Sequence, residues 1–333
     1  MRGVAKLAPG PGHVAYSERP DVVAGPGEVV IEMLAAGICG TDLHIEAGEY
    51  PSVPPVTMGH EFCGVVAELG SGVDAAWEGA RVTCETFYST CGACRWCRAG
   101  RPSICPFRKS VGTHVDGAFA PRVRMPVRNL HHVPEALSDR AAAICEPLAC
   151  VCNSLSDPAS VDASDEVLVI GPGAIGLLAA QVARASGGDV HVRGTVRDEA
   201  RLEKARELGF EIAMPSDKVS LGDFGVVVEC SGRAAGIGLA LESAARAGRV
   251  VQIGLAGKPV AIPFDLVCYR ELTVTSGNAS TPRSWRRALE LIERRAVQLE
   301  PLVTEVVPLA EWERAFEATR RGTGIKFVLD PSI

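Results

Sequence analysis

The sequence predicts an α/β chain in two parts, an irregular β-rich portion and a doubly wound parallel sheet. Three observations carry that reading. Short apolar stretches separated by Gly and Pro run to about residue 135 with little helical periodicity. From Ala141 onward, short strands alternate with helical segments. Between the first such strand and the helix after it stands Gly171-Pro-Gly173-Ala-Ile175-Gly176, a G-x-G-x-x-G turn.

In chain order, residues 22–36 form a strand after the Pro-Gly turn in PGEVVIEMLAAG, and GVVAELGSGV and ARVTCE continue in the same style. AAAICEPLACVCNSL, over 141–155, reads as one buried helix. EVLVI (Glu166–Ile170) is the strand that feeds the glycine turn. LLAAQVARASGG then continues as a helix, DVHVRG as a strand and DEARLEKARELG as an amphipathic helix. GVVVECSG, GRVVQIGL and ELTVTS are further strands. SWRRALELIERR and LAEWERAFEATRRG are helical, and KFVLD is a final strand. The tail is expected to return to the first portion. The expected division is therefore residues 1–150 with 280–333 in one domain and 151–279 in the other.

At 333 residues the chain has room for about two domains. A hydrophobic share of 47% with 22% charged residues is an ordinary globular balance. The formal net charge of −6 gives no electrostatic reason for nucleic acid or an anionic membrane as partner. No apolar run approaches the roughly 20 residues that span a bilayer. The opening MRGVAKLAPGPGHVAYSERP lacks the apolar core of a signal peptide, which points to a cytoplasmic protein. In that reducing compartment the twelve cysteines are expected as thiols or metal ligands.

Cys91, Cys94, Cys97 and Cys105 are spaced C-x2-C-x2-C-x7-C. Four thiolates this close can wrap a zinc ion tetrahedrally, and a closed four-cysteine shell marks a structural site. An iron–sulfur cluster also uses close cysteines, but the last interval departs from the ferredoxin pattern. Elsewhere in the β-rich portion, Cys39-Gly-Thr41-Asp42-Leu-His44 and Gly59-His60-Glu61 supply Cys, His and carboxylate, and Glu146-Pro-Leu opens the path to the second portion. A catalytic zinc takes three such ligands and keeps one position open.

The glycine turn is a dinucleotide fingerprint: Gly171 for the tight turn, Gly173 for approach of a pyrophosphate, Gly176 for close helix–strand packing. The next strand lacks the usual terminal acid that holds ribose hydroxyls. It ends Arg193-Gly194-Thr195-Val196-Arg197, with the first acid at Asp198. Gly194 leaves space for a 2′-phosphate and Arg193 or Arg197 could contact it, so the strand end leans toward NADP over NAD.

Taken together, C-G-T-D-L-H, G-H-E, the four-cysteine lobe, E-P-L and G-P-G-x-I-G resemble the zinc-containing medium-chain alcohol dehydrogenases, most nearly the sorbitol (L-iditol) and polyol branch. The resemblance spans nearly the whole chain. It implies a GroES-like catalytic domain joined to a Rossmann domain, assembled as dimers or tetramers, with two zinc ions per chain. By the same resemblance Cys39 and His60 are ligands of the catalytic zinc, and either Glu61 or Glu146 is the third. Cys145, beside Glu146, is a thiol alternative that the family pattern disfavours. Thr41 and His44 relay the substrate proton, Lys326 approaches the cofactor pyrophosphate, and Ile175, Thr195 and Arg197 belong to the cofactor site with the glycines and Gly194. Tyr50 is a candidate for the substrate pocket. The implied reaction is hydride transfer between a secondary alcohol (a polyol, sugar or cyclitol) and NAD(P). The competing readings are a threonine or glucose dehydrogenase of the same superfamily and, from another class, a non-catalytic dinucleotide-binding protein.

Overall fold

In the computed structural model, residues 1–157, 159–213 and 224–332 are described. The chain divides into Met1–Glu146 with Leu299–Ile333, and Pro147–Gln298.

The first unit is built on a seven-stranded sheet. Its strands run in the order Leu130–His132, Arg81–Cys84, Glu61–Leu69, Glu28–Gly37, Lys326–Asp330 and Val303–Pro308, with Arg122–Pro126 paired onto Glu28–Gly37. All pairs are antiparallel except the last two strands of that path. Glu28–Gly37 pairs on both sides, and its Val29, Val30 and Ile31 are fully buried, which explains an apolar run where a one-faced strand would alternate. A three-stranded sheet of Val14–Glu18, Arg2–Lys6 and Val56–Thr57 adds to this unit. Phe62, Phe119 and Phe316 lie in its core. The final strand, KFVLD, does return to this unit as expected.

The second unit is a six-stranded parallel sheet. Its order is Glu211–Ala213, Asp189–Arg193, Glu166–Ile170, Phe224–Glu229, Ala244–Gln252 and Thr273–Thr275. Numbered along the unit, this is 3-2-1-4-5-6, the doubly wound order whose direction reverses beside the first strand. The glycine turn follows that strand, at the switch point where such sheets bind ligands. Ala174–Ala185, Glu199–Glu207 and Ala234–Ser243 are among the helices of this unit.

Two details differ from the sequence reading. The stretch 141–155 is two helices, Asp139–Ala142 and Cys145–Ser156. Pro147 is the reason: it has no amide hydrogen to donate and its ring crowds the carbonyl four residues back, so it is tolerated only where a helix begins. Residues 280–298, grouped above with the β-rich portion, lie in the second unit. There the helix Pro282–Glu293 buries Trp285, whose indole N–H donates to Ser280 Oγ at 3.0 Å. Gln181 fastens the segment further, its amide reaching the Gln298 carbonyl (3.1 Å) while its Oε1 accepts from the Gln298 N–H (2.7 Å).

Candidate active site

Cys39 is the N-cap of the short helix Gly40–Glu46, and Asp42 three residues on closes the cap by accepting the Cys39 N–H at 2.9 Å on Oδ2. His60 and Glu61 arrive from the start of the strand Glu61–Leu69, where Glu61 pairs in register with Gly37. Cys39, His60 and Glu61 thereby bring one sulfur, one imidazole nitrogen and one carboxylate oxygen within 4.8 Å of one another.

The surroundings sort the roles of these atoms. Fully buried Asp42 turns its other oxygen, Oδ1, to 3.5 Å from His60 Nδ1, and neither atom makes a hydrogen bond. Burial opposes a charged imidazole, but the Asp42 carboxylate and then Cys39 outweigh it and hold the His60 pKa well above its ordinary value. Facing Asp42 through Nδ1 leaves Nε2 to ligate a metal, the arrangement in which a carboxylate orients a metal-bound histidine. Asp42 was not singled out from the sequence; its spacing i, i+3 from Cys39 was the available signal.

Lys326 reaches the donor trio. Its ammonium is buried, 2.6 Å from Glu61 Oε2 and 3.0 Å from the Ile38 carbonyl oxygen. Burial alone would lower its pKa, but Glu61, then Cys39, raise it above the ordinary value. Glu61 thus belongs to the donor trio while paired with a cation. Glu146, buried in the first turn of Cys145–Ser156, is not one of that trio. Its neighbour Cys145 is fully buried, and desolvation pushes its thiol strongly upward, with Cys63 adding to the shift. Cys145, like Glu146, is not one of the trio.

Thr41 and His44 stand three residues apart on the Gly40–Glu46 helix and so share a face. His44 Nδ1 meets Glu49 Oε2 at 2.7 Å. Tyr50 packs half-buried against the first unit's core, its backbone N–H donating to the His44 carbonyl at 3.2 Å.

In the four-cysteine lobe all sulfurs lie within 4.8 Å of one another. Cys91–Cys105 and Cys94–Cys97 are 3.6 Å apart and Cys91–Cys97 4.0 Å. A Zn–S bond of about 2.3 Å implies a tetrahedron with edges of roughly 3.8 Å. The four sulfurs match that cage and are too far apart for disulfides, whose S–S length is about 2 Å. The Cys94 and Cys97 N–H groups donate to the sulfurs of Cys91 and Cys94. These backbone donors suit thiolate, and those of Cys94 and Ala93 lower the Cys91 pKa to about 6.

In the second unit, Gly171 lies at φ 98°, and a Cβ on Gly176 would fall 1.8 Å from the Gly171 carbonyl oxygen, so the turn closes only with glycine. Gly173 caps the helix Ala174–Ala185 with open space where its Cβ would be, and Ile175 follows in the first turn. The helix start therefore offers its backbone N–H groups to an anion. At the neighbouring strand end, Asp198 is committed: Oδ2 accepts from Thr195 N (2.9 Å) and Oγ1 (2.7 Å). Arg193 Nη1 is buried and makes no hydrogen bond, whereas Arg197 is exposed. Of the two arginines, Arg193 has the unsatisfied donor.

Residues 25–135 match the alcohol dehydrogenase GroES-like domain family, and residues 174–294 match the zinc-binding dehydrogenase family. The chain is 37% identical to a sorbitol dehydrogenase of Halalkalibacterium halodurans, with 99% of each chain covered. It is 32% identical to a D-arabitol-phosphate dehydrogenase of Enterococcus avium, covering 99% of this chain and 97% of that one. Among solved structures, one described as a zinc-binding dehydrogenase of Sinorhizobium meliloti 1021 bound to NADP is 33% identical, with a TM-score of 0.87 over 99% of each chain.

Proposed function

The chain belongs to the zinc-binding dehydrogenases, and from that premise we propose that it oxidises a secondary hydroxyl of a polyol with NADP as the preferred hydride acceptor. As a member of this family it is an NAD(P)-dependent enzyme. The observation that carries the site is the convergence of Cys39, His60 and Glu61, one thiol, one imidazole and one carboxylate, the donor chemistry of an open zinc centre. These three would hold the catalytic ion, with Glu146 as an exchangeable fourth ligand and second carboxylate; Cys91, Cys94, Cys97 and Cys105 would hold the structural one. Zinc supplies Lewis acidity that makes a bound hydroxyl easier to deprotonate.

The remaining work falls to the chain's own groups. Asp42 fixes the His60 ring. Lys326 balances the charge of Glu61. Thr41 and His44 carry the hydroxyl proton outward as a general-base relay. The Gly171–Gly176 turn and the helix behind it seat the pyrophosphate, and Arg193 offers its free donor to the 2′-phosphate that distinguishes NADP. Tyr50 bounds the substrate side of the relay helix. The named activities of the relatives in Halalkalibacterium halodurans and Enterococcus avium favour polyols, and two carboxylates, Glu61 and Glu146, suit a substrate with a second hydroxyl.

The test is a spectrophotometric screen of polyols, polyol phosphates, sugars, aminocyclitols and L-threonine with each cofactor. Turnover should be highest on a polyol or its phosphate with NADP. A kcat/KM for L-threonine above that of every polyol would overturn the substrate class. We also propose a homodimer or homotetramer. The edge strand Thr273–Thr275 is largely exposed, and Leu255, Phe264, Tyr269 and Val274 of the same unit are exposed large apolar residues, a combination a second copy could cover. Light scattering of a monomer at micromolar concentration would refute it. No helix among the described residues is long and apolar enough to cross a membrane; twelve cysteines with no disulfide among them suit the cytoplasm.

A further inference from the structure

We propose that Glu49 is the positioning residue of the proton path: its carboxylate holds His44 in the Nδ1–H tautomer, so that Nε2 is the atom that accepts the proton. The inference rests on the relay reading above. Its geometry is the 2.7 Å contact between His44 Nδ1 and Glu49 Oε2, the shortest histidine–carboxylate approach among the described residues; the others lie at 3.1 to 3.5 Å.

The contact is built rather than incidental. Both Glu49 and Tyr50 donate their N–H to the His44 carbonyl, at 2.8 and 3.2 Å, which folds the chain back over the last turn of the helix. Gly48 makes the fold possible at φ 74°, and a Cβ there would come 2.8 Å from the Gly10 carbonyl carbon and 2.9 Å from Pro11 N. The 10–12 segment behind it is itself anchored. Lys6, only 1% exposed, donates its ammonium to the carbonyls of Gly10, Gly12 and Glu46, and the Gly12 N–H donates to the Glu46 carbonyl at 2.7 Å. A backbone scaffold anchored on buried Lys6 thus sets where the exposed Glu49 carboxylate lies.

The chemistry explains why that matters. A neutral imidazole donates at one nitrogen and accepts at the other, and the bond at one decides the state of its partner. With Nδ1–H donated to Glu49, the Nε2 lone pair is free. The substrate O–H breaks as its proton forms a bond to Thr41 Oγ1, and the Thr41 hydroxyl proton forms the new Nε2–H bond. One bond is made for each broken, and no atom changes oxidation state in this step. The imidazolium so formed is balanced by Glu49 until a solvent water removes the proton. An exposed pair of this kind contributes little to stability, so its removal should be felt in the reaction and not in the fold.

The test uses protein labelled with 15N-histidine. There are seven histidines, and the signal lost in His44→Asn identifies His44. Wild type should show a protonated Nδ1 and an imine-type Nε2. Glu49→Ala should shift that pattern toward Nε2–H and lower kcat on D-sorbitol with NADP, or on the best polyol of the screen, by about 10- to 100-fold. The KM for NADP should stay within about 2-fold, the solvent isotope effect on kcat should rise, and Tm should hold. Glu49→Gln, which keeps an acceptor but not the charge, should fall between the two. A slow His44→Asn beside a Glu49→Ala enzyme with wild-type kcat and an unchanged His44 tautomer would overturn the inference alone. A His44→Asn enzyme with wild-type kcat would overturn the relay, and the inference with it.

Discussion

The two cysteine-bearing centres of the first unit are assembled in opposite ways. The lobe draws all four sulfurs from one fifteen-residue loop, Cys91 to Cys105, and backbone N–H groups of that loop serve the sulfurs. The trio draws Cys39 from a helix cap, Glu61 from the start of a strand and His60 from the residue before it, then depends on Asp42 and, 265 residues from Glu61, on Lys326. A local cage can be remade by its own loop, so its metal stabilises that loop. A centre made by distant elements is positioned by the fold, so its metal is available for chemistry.

The largest expected effect separates these functions. Cys39→Ser should cost at least about 10³-fold in kcat, the scale of losing a catalytic metal's activation, and leave Tm nearly unchanged. Cys94→Ser should do the reverse, giving a protein that unfolds earlier or aggregates on purification. Metal analysis should return about two zinc ions per wild-type chain and about one for Cys39→Ser. A Cys39→Ser enzyme with normal turnover would end the distinction.

Next in size is Asp42→Asn, which replaces the carboxylate facing His60 with an amide. Zinc affinity at the catalytic centre, read by chelator competition, should weaken by about 10- to 100-fold, with the lobe's ion retained. Loss of both ions together would mean that Asp42 serves the fold and not the centre.

In the second unit, Arg193→Ala should lower kcat/KM for NADP by about 10-fold while sparing NAD, and Arg197→Ala should change neither, consistent with a charge-assisted contact from Arg193. Gly194→Asp is a poorer probe. A Cβ at Gly194 would stand 3.0 to 3.1 Å from Pro172, Asp198 and Leu202, so that variant tests packing as well as charge. Equal losses in Arg193→Ala and Arg197→Ala would erase the assignment.

The smallest effect is an acid-stability control at a carboxylate that belongs to neither metal-ligand set. The Asp116 carboxylate accepts from Thr57 N at 2.7 Å and Arg19 Nη2 at 2.9 Å. Burial would raise its pKa, but the Thr57 N–H and then Arg19 leave it lowered. A lowered carboxylate pKa stabilises the fold above the ordinary carboxylate range, and the gain is lost as pH falls through the lowered value. Asp116→Asn should therefore cost about 1 kcal/mol or less at pH 7, its carboxylate being partly exposed, and almost nothing near pH 2. Urea denaturation at the two pH values measures it. A cost that persists undiminished at the lower pH would mean that the lost interaction is not one of charge.

Features that a short segment completes alone are legible from the amino-acid order. The C-x2-C-x2-C-x7-C lobe and the strand–glycine–helix turn follow from spacing and backbone chemistry within a few residues, and the single helix expected over 141–155 breaks because Pro147 has no N–H to donate. Pairings between distant residues emerge only in the folded chain. The final strand carries Lys326 to Glu61, a pairing no local spacing announces. Arg193 and Arg197 were equivalent until burial left one with an unsatisfied donor and the other in solvent. Residues 280–298 had no local mark of their unit; Trp285 burial and the Gln181–Gln298 bonds placed them. The physical reason is common to all three. Desolvation and charge pairing depend on which groups the fold brings within a few ångströms, and sequence spacing reports that distance only inside one turn, one helix or one strand.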